Sequence, residues 1–315
     1  MITVTKDNSG DFSSIQKAID SITIFPETIF ISEGIYEERI EIKKPFITLV
    51  GENPDTTKIS YGYYALMKME DGTNRGTFRS YTALFNADHL TIKNLTIENS
   101  SGFGTQVGQA IAVYVEGDMI EFNNCRLLGH QDTLFTGPLP LKEKQPGGFV
   151  GPTEFAPRKI GRQLYENCYI CGEVDFIFGS ATAYFVDCKL FALTRNLDIN
   201  SYYTAPSTYE GQKYGYVFEN CEFTGNCPPR TVMLSRPWRN DAKAVFLRCN
   251  LSEQITEIGY DDWNKPESHK ASFYAEYDCT GKGYTPQERA SYIHQLTDEE
   301  ALEYTKEKVF NMKDF

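Results

Sequence analysis

No apolar run in this sequence approaches the roughly twenty residues that a membrane-spanning helix requires, so no membrane association is expected. The opening Met1-Ile2-Thr3-Val4 has no basic stretch followed by an apolar one, unlike the start of an export signal. The expectation is a cytoplasmic chain, or a secreted one from which the signal has been removed, with the cysteines leaning towards a reducing compartment. Positive charge is scarce: 31 Lys and Arg against 43 Asp and Glu leave a net charge of −12. That balance argues against nucleic acid as a partner. Neither a Gly-x-Ser-x-Gly elbow nor a Ser-His-Asp set is present, which removes the usual serine esterases. No His, Cys, Asp and Glu residues cluster at metal-ligand spacing, so neither a metal nor another cofactor is expected. No linker or break in composition divides the chain, and 41% hydrophobic residues suffice for one core. A single domain over 1–315, and a monomer, are expected.

What the sequence has is a repeat, visible once Asn-Cys serves as its marker. The register reads Asn94-Leu95, Asn124-Cys125, Asn167-Cys168, Asp187-Cys188, Asn220-Cys221 and Arg248-Cys249. From Leu95 the marker separations are 30, 43, 20, 33 and 28 residues, the shortest being the bare unit and the rest that unit plus loops. Each unit carries short apolar strands of period two, such as Leu90-Thr91-Ile92 and Leu95-Thr96-Ile97, broken by Gly, Asn and Asp turns. Such units, with no helix between them, predict an all-β parallel β-helix rather than a β-sandwich. A short N-terminal helix is expected where Ser13 and Gln16 offer a capping box ahead of Ile15, Ala18, Ile19 and Ile22. A C-terminal helical segment is expected where Thr297 and Glu300 repeat that signature. Five of the eight cysteines share one ladder position, which suits a small buried side chain better than a redox or metal role. Cys168-Tyr169-Ile170-Cys171 has the Cys-x-x-Cys spacing but lies in a strand, without a second pair.

Two aspartates occupy matched places in this frame, each seven residues after a marker cysteine: Asp132 after Cys125 and Asp175 after Cys168. On neighbouring rungs they would stack about 5 Å apart. Like charges that close cannot both ionise freely, so one would remain a carboxylate and the other hold a proton.

The surrounding residues resemble the pectin methylesterase family of carbohydrate esterases. The resemblance runs from Asp7-Asn8-Ser9-Gly10-Asp11-Phe12 through Gly34-Ile35-Tyr36 and Ile47-Thr48-Leu49-Val50-Gly51 over nearly the whole chain. Its specific parts are Gly108-Gln109-Ala110-Ile111-Ala112, Gly129-His130-Gln131-Asp132-Thr133-Leu134, Val174-Asp175-Phe176-Ile177-Phe178-Gly179 and Ser235-Arg236-Pro237-Trp238. It implies a right-handed parallel β-helix that hydrolyses C6 methyl esters of methylated polygalacturonate or oligogalacturonides and releases methanol. It also implies Asp175 as nucleophile, Asp132 as general acid and base, Gln109 and Gln131 as oxyanion donors, and Arg236 as the holder of Asp175. Trp238 is expected to stack on sugar, with Phe135, Phe178 and Val174 as further substrate contacts. His130 is read as structural, since the acid and the nucleophile are already assigned. Two segments depart from the family pattern: Thr204-Ala205-Pro206-Ser207 and Gly259-Tyr260.

Three other readings compete. A β-helix glycosidase could use the adjacent pair Asp261-Asp262, although an acidic surface turn accounts for it. A non-catalytic sugar-binding relative is disfavoured by competent side chains at every catalytic position. An esterase or thioesterase acting on a different ester would use the same machinery. The sequons at Asn94, Asn99 and Asn250 carry little weight without an export signal. The long gap between the aspartates is filled by 137–159, rich in proline and glycine, which must loop out of the coil. It leaves five residues after Asp132 and should stand at one wall of the cleft, either as a tolerated surface insertion or as a cap on one end that favours short, methylated oligogalacturonides over long polymer. Lys142, Lys144, Arg158 and Lys159 would give that wall positive charge.

Overall fold

The structure, a computed structural model, describes residues 1–311. Among them the strands gather into three parallel sheets of eleven, seven and eight strands. One turn shows the path: Ile120–Asn123 lies in the eleven-stranded sheet, Arg126–Leu128 in the eight-stranded one and Leu134–Thr136 in the seven-stranded one. The chain then re-enters the first sheet one place further along, at Arg162–Glu166. The result is a right-handed parallel β-helix, the hand that parallel crossovers strongly prefer.

The marker residues make the first corner. Asn94, Asn124, Asn167, Asp187, Asn220, Arg248 and Asp278 all have φ between 47° and 55°. Asn and Asp tolerate this left-handed region better than other side chains, which is why they recur there. They also bond from rung to rung: the Asn124 amide donates to Asn94 at 2.9 Å, and Asn220 donates to Asp187. The following cysteine points inward. Cys125, Cys168, Cys188, Cys221 and Cys249 are at most 2% exposed and all eight cysteines are free thiols. Each ladder thiol donates to a carbonyl of the rung before, as Cys125 does to Ile92 at 3.4 Å. Cys279 extends the ladder to a sixth member, donating to Phe246 at 3.4 Å.

Aromatic rings fill the coil in a second ladder. Phe122, Tyr165, Phe185, Phe218 and Phe246 pair in register, with centroids 4.5–5.1 Å apart and planes within 14° of parallel. The next position is Glu276, fully buried and paired with Arg289 at 2.8 Å.

The N-terminal helix, Ile15–Ser21, buries Ile15, Ala18 and Ile19. Its cap is Ser14, not Ser13: the Ser14 hydroxyl accepts from the Lys17 amide, and the Glu38 carboxylate accepts from the amides of Ile15 and Gln16. Gln16 is drawn away to the Glu41 backbone, so no capping box forms. The expected box at Thr297 and Glu300 is present, ahead of the helix Asp298–Ala301. The last helix, Lys306–Phe310, buries Val309 and Phe310 among residues of the eleven-stranded sheet's outer face. Asn99 is buried, its amide donating to three carbonyls, and offers no glycosylation point.

Candidate active site

The site lies along the seven-stranded sheet, where neighbouring rungs each contribute a residue. Gln109 precedes the strand Val113–Val115; Gln131 and Asp132 precede Leu134–Thr136; Asp175 precedes Ile177–Gly179; and Arg236 follows Val232–Ser235. Backbone bonds hold these approaches in register. The Ala110 amide donates to Gln131 at 3.0 Å, and the Asp132 amide to Val174 at 3.0 Å. Both aspartates have left-handed backbones, with φ of 64° at Asp132 and 51° at Asp175. Such paired distortions concentrate where a side chain must be aimed rather than packed.

The two carboxyls are almost equally buried, at 8% and 7% exposure, yet differ in their partners. Asp175 receives a two-pronged contact from Arg236, Nε to Oδ1 and Nη2 to Oδ2, both at 2.7 Å. The guanidinium is clamped between the rings of Tyr202 and Trp263, 3.9 and 3.7 Å away. Among the described residues the Asp132 carboxyl has no hydrogen-bond partner. Burial, and then the charge of Asp175, push its proton affinity well above the ordinary carboxylate range, against a smaller pull from Arg236. Burial also raises Asp175, but Arg236 offsets it directly, so of the pair Asp175 is the one that ionises first. Gln109 and Gln131 are half-buried in the same cleft, and among the described residues neither amide donates to a protein acceptor. The chemistry on offer is a held carboxylate, a second carboxyl whose surroundings favour its neutral form, and two amide donors facing one space.

That space is a cleft of about 440 Å³. Gln109, Gln131, Asp132, Asp175, Phe178, Arg236 and Trp238 all line it. Phe135 and Val174 do not. Phe135 is wholly buried behind Phe178 and Phe78, with ring centroids 5.0 and 5.1 Å away, and underlies the wall without reaching it. Val174 is 6% exposed and contributes its carbonyl to Asp132. His130 bonds the buried Glu173 at 2.9 Å and packs on Phe103, a structural arrangement. Asp261 and Asp262 accept from the amides of Trp263 and Asn264, the bonding of a turn. Tyr260 is wholly buried with its hydroxyl on Glu276. Ala205, in the other departing segment, lines the cleft.

The loop expected over 137–159 occupies the gap between the strands Leu134–Thr136 and Arg162–Glu166. Phe149 anchors it against Phe78 and Trp238, with centroids 5.9 and 6.3 Å apart, and Glu143, Lys144, Gln145 and Gly148 join it in the cleft wall. Of its four expected cations only Lys144 faces the cleft. Arg158 folds back on the carbonyls of Thr153, Glu154 and Ala156, Lys159 pairs with Asp88 at 3.4 Å, and Lys142 is exposed. Positive charge comes instead from Arg239 and Lys265. These two, with Trp263, Phe78 and Tyr202, escaped the sequence reading. One signal was available: the chain has two tryptophans, and both line the cleft.

Comparison with known proteins points to one family. The chain is 32% identical to pectinesterase 31 of Arabidopsis thaliana, over 96% of itself and 89% of that protein. Against the longer probable pectinesterase/pectinesterase inhibitor 23 of that plant it is 29% identical, and it spans about half of that protein's length (51%). Among solved structures it matches a pectin methylesterase in complex with a hexasaccharide (30% identity, 99% and 97% of the two chains, TM-score 0.82). The pectin methylesterase PemA from Erwinia chrysanthemi matches with the same coverage and TM-score at 29% identity. The Pectinesterase family model matches residues 1–139 and 158–313, breaking off across most of the loop that walls the cleft. By that match the chain belongs to the Pectinesterase family.

Proposed function

We propose that this protein hydrolyses the C6 methyl esters of methylated polygalacturonate or oligogalacturonides, releasing methanol. The observation that carries this reading is the unequal treatment of two aspartates on neighbouring rungs, one held by Arg236 and the other unpartnered and pushed by burial towards its neutral form. Asp175 attacks the ester carbonyl, and the oxyanion receives the amide donors of Gln109 and Gln131, each worth about 3–4 kcal/mol by the usual scale of such donors. Asp132 gives its proton to the departing methoxide, so that methanol leaves and an anhydride joins the substrate to Asp175. The resulting Asp132 carboxylate takes a proton from water. That water opens the anhydride, freeing the galacturonic acid and restoring Asp175. Trp238, Trp263 and Phe178 offer apolar faces for sugar rings.

The test is methanol release from methylated pectin by purified variants. Asp175→Asn is expected to abolish turnover with the fold retained, and Asp132→Asn to leave at most a residual rate from the oxyanion donors. Arg236→Lys should lose most activity, because an ammonium cannot reproduce the two-pronged hold. Near-normal methanol release by Asp175→Asn would sink the assignment of the nucleophile.

A further inference from the structure

Behind the cleft, one buried carboxyl ties together the segments that deliver Gln109, Gln131 and Asp175. Glu173 is wholly buried, two residues before Asp175. Its Oε1 bonds Nδ1 of His130, the residue before Gln131, at 2.9 Å. Its Oε2 accepts from the Gly104 amide at 3.0 Å, five residues before Gln109. The Glu173 backbone repeats the pattern: its amide donates to the His130 carbonyl at 2.8 Å, and its carbonyl accepts from the Tyr202 amide at 3.2 Å. The Tyr202 ring in turn lies on the guanidinium of Arg236.

The segment before Gln109 needs such a hold. It makes a single helical turn, Gly104–Val107, between two glycines of positive φ, 98° at Gly102 and 76° at Gly108. Phe103, at the cap position, offers no side-chain acceptor, and Glu173 takes the Gly104 amide in its place. Phe103 also rests on the His130 ring, with centroids 4.7 Å apart. The same turn presses on the second glutamine: a β-carbon added to Gly104 would stand 2.7 Å from Cβ and 2.9 Å from Oε1 of Gln131. One turn thus borders both amide donors, and Glu173 holds that turn.

We propose that Glu173 is a positioning residue for ester hydrolysis: through the Gly104 amide and His130 it fixes where Gln109 and Gln131 aim their donors. The proposal rests on the oxyanion role given to these two glutamines. Donors stabilise a developing charge only when they are aimed before the reaction, and an error near 1 Å costs roughly a hundredfold. The oxyanion is absent from the bound ester, so loosening the turn lowers kcat and leaves KM nearly alone.

The experiment measures kcat and KM for methanol release from methylated pectin. In Glu173→Ala, kcat should fall about 10- to 100-fold with KM within about threefold of wild type. Glu173→Gln, whose amide oxygen can still accept from Gly104, should recover most of that loss. Gly104→Ala alters only the half-exposed turn, and by pushing Gln131 aside should lower kcat about tenfold without removing the buried acid. In a Gln131→Ala background the penalty of Glu173→Ala should shrink by at least about threefold, because both changes act on the same donor. A kcat within about twofold of wild type in both Glu173→Ala and Gly104→Ala would overturn the proposal, as would penalties that multiply in full with Gln131→Ala. Should wild type release no methanol, the activity falls instead, and hydrogen exchange reads the hold by itself. The amides of 104–109 should then exchange at least about tenfold faster in Glu173→Ala, and equal exchange would overturn the hold as well.

Discussion

Asp132 and Asp175 share residue type, burial and backbone conformation, and one guanidinium separates their chemistry. This asymmetry has a measurable thermodynamic trace. A carboxyl whose folded pKa lies above its unfolded value of about 3.9 stabilises the fold fully below that pH, and the contribution is lost as pH rises towards the folded value. Burial and Asp175 place Asp132 in that class. Asp132→Asn cannot ionise, so it should match wild type in stability near pH 4 and outlast it increasingly at higher pH. The gap should grow by up to about 1.4 kcal/mol per pH unit until the folded pKa is passed. Urea unfolding from pH 4 to 9 reads it directly, and a gap that does not change with pH would contradict the assignment. At this scale the sequence was legible where cleft-lining residues sit inside a short motif. Asp132, Asp175 and both glutamines could be placed together because their neighbours are diagnostic. Trp263 and Lys265 could not, because they meet Arg236 only through folding of a loop whose local composition reads as an acidic turn. Phe135 misled because alternation along a strand separates inward from outward residues but does not reveal that Phe78 covers the outward ones.

The loop after Thr136 is held by more than its apolar anchor. The Thr153 hydroxyl donates to the buried Glu116 carboxylate at 2.9 Å and meets the Tyr114 hydroxyl at 2.6 Å, with Arg158 the nearby positive charge. Burial pushes the Glu116 carboxyl up to about 7. By the same sign rule, its contribution is complete below its ordinary pKa of about 4.3 and vanishes as pH rises through 7. The loop should therefore loosen in mild alkali. Between pH 6 and 8 the rate of proteolytic cutting within 140–157 should rise about tenfold, provided opening lets Glu116 reach water. Glu116→Gln should flatten that rise, and an equal rise in both proteins would assign the effect to the protease. The position of the loop was readable from its prolines and glycines, but its attachment was not. The N-terminal helix teaches the same lesson. Two adjacent serines are equal as caps in sequence, and Glu38 from a following turn bonds the Ser14 hydroxyl as well as the first helical amides.

Across the whole molecule, the repeat was the most legible feature, because the αL corner favours Asn or Asp and the inward position after it accepts Cys. The end of the coil was not legible: nothing local announces that the aromatic ladder stops at Glu276 against Arg289, which is 2% exposed on its side chain. Arg289 also donates to the carbonyls of Thr256, Glu257 and Gly283, closing the open end of the stack. Removing one partner of such a pair strands a buried charge. Arg289→Met should thus cost about 3–5 kcal/mol, and adding Glu276→Met should recover much of it. Urea unfolding of the single and double variants checks this, and a double variant no better than the single would show that the backbone contacts of Arg289 dominate. The parallel coil has a further consequence for how such a protein can change. Each rung records only that the chain came back one strand further along; the length and path of the excursion leave no mark on the ladder. The cleft aspartates precede two adjacent strands of the seven-stranded sheet, while the segment that walls the cleft hangs between them in the chain. An excursion at 140–157 can therefore lengthen or shorten without moving the rungs that carry Asp132 and Asp175.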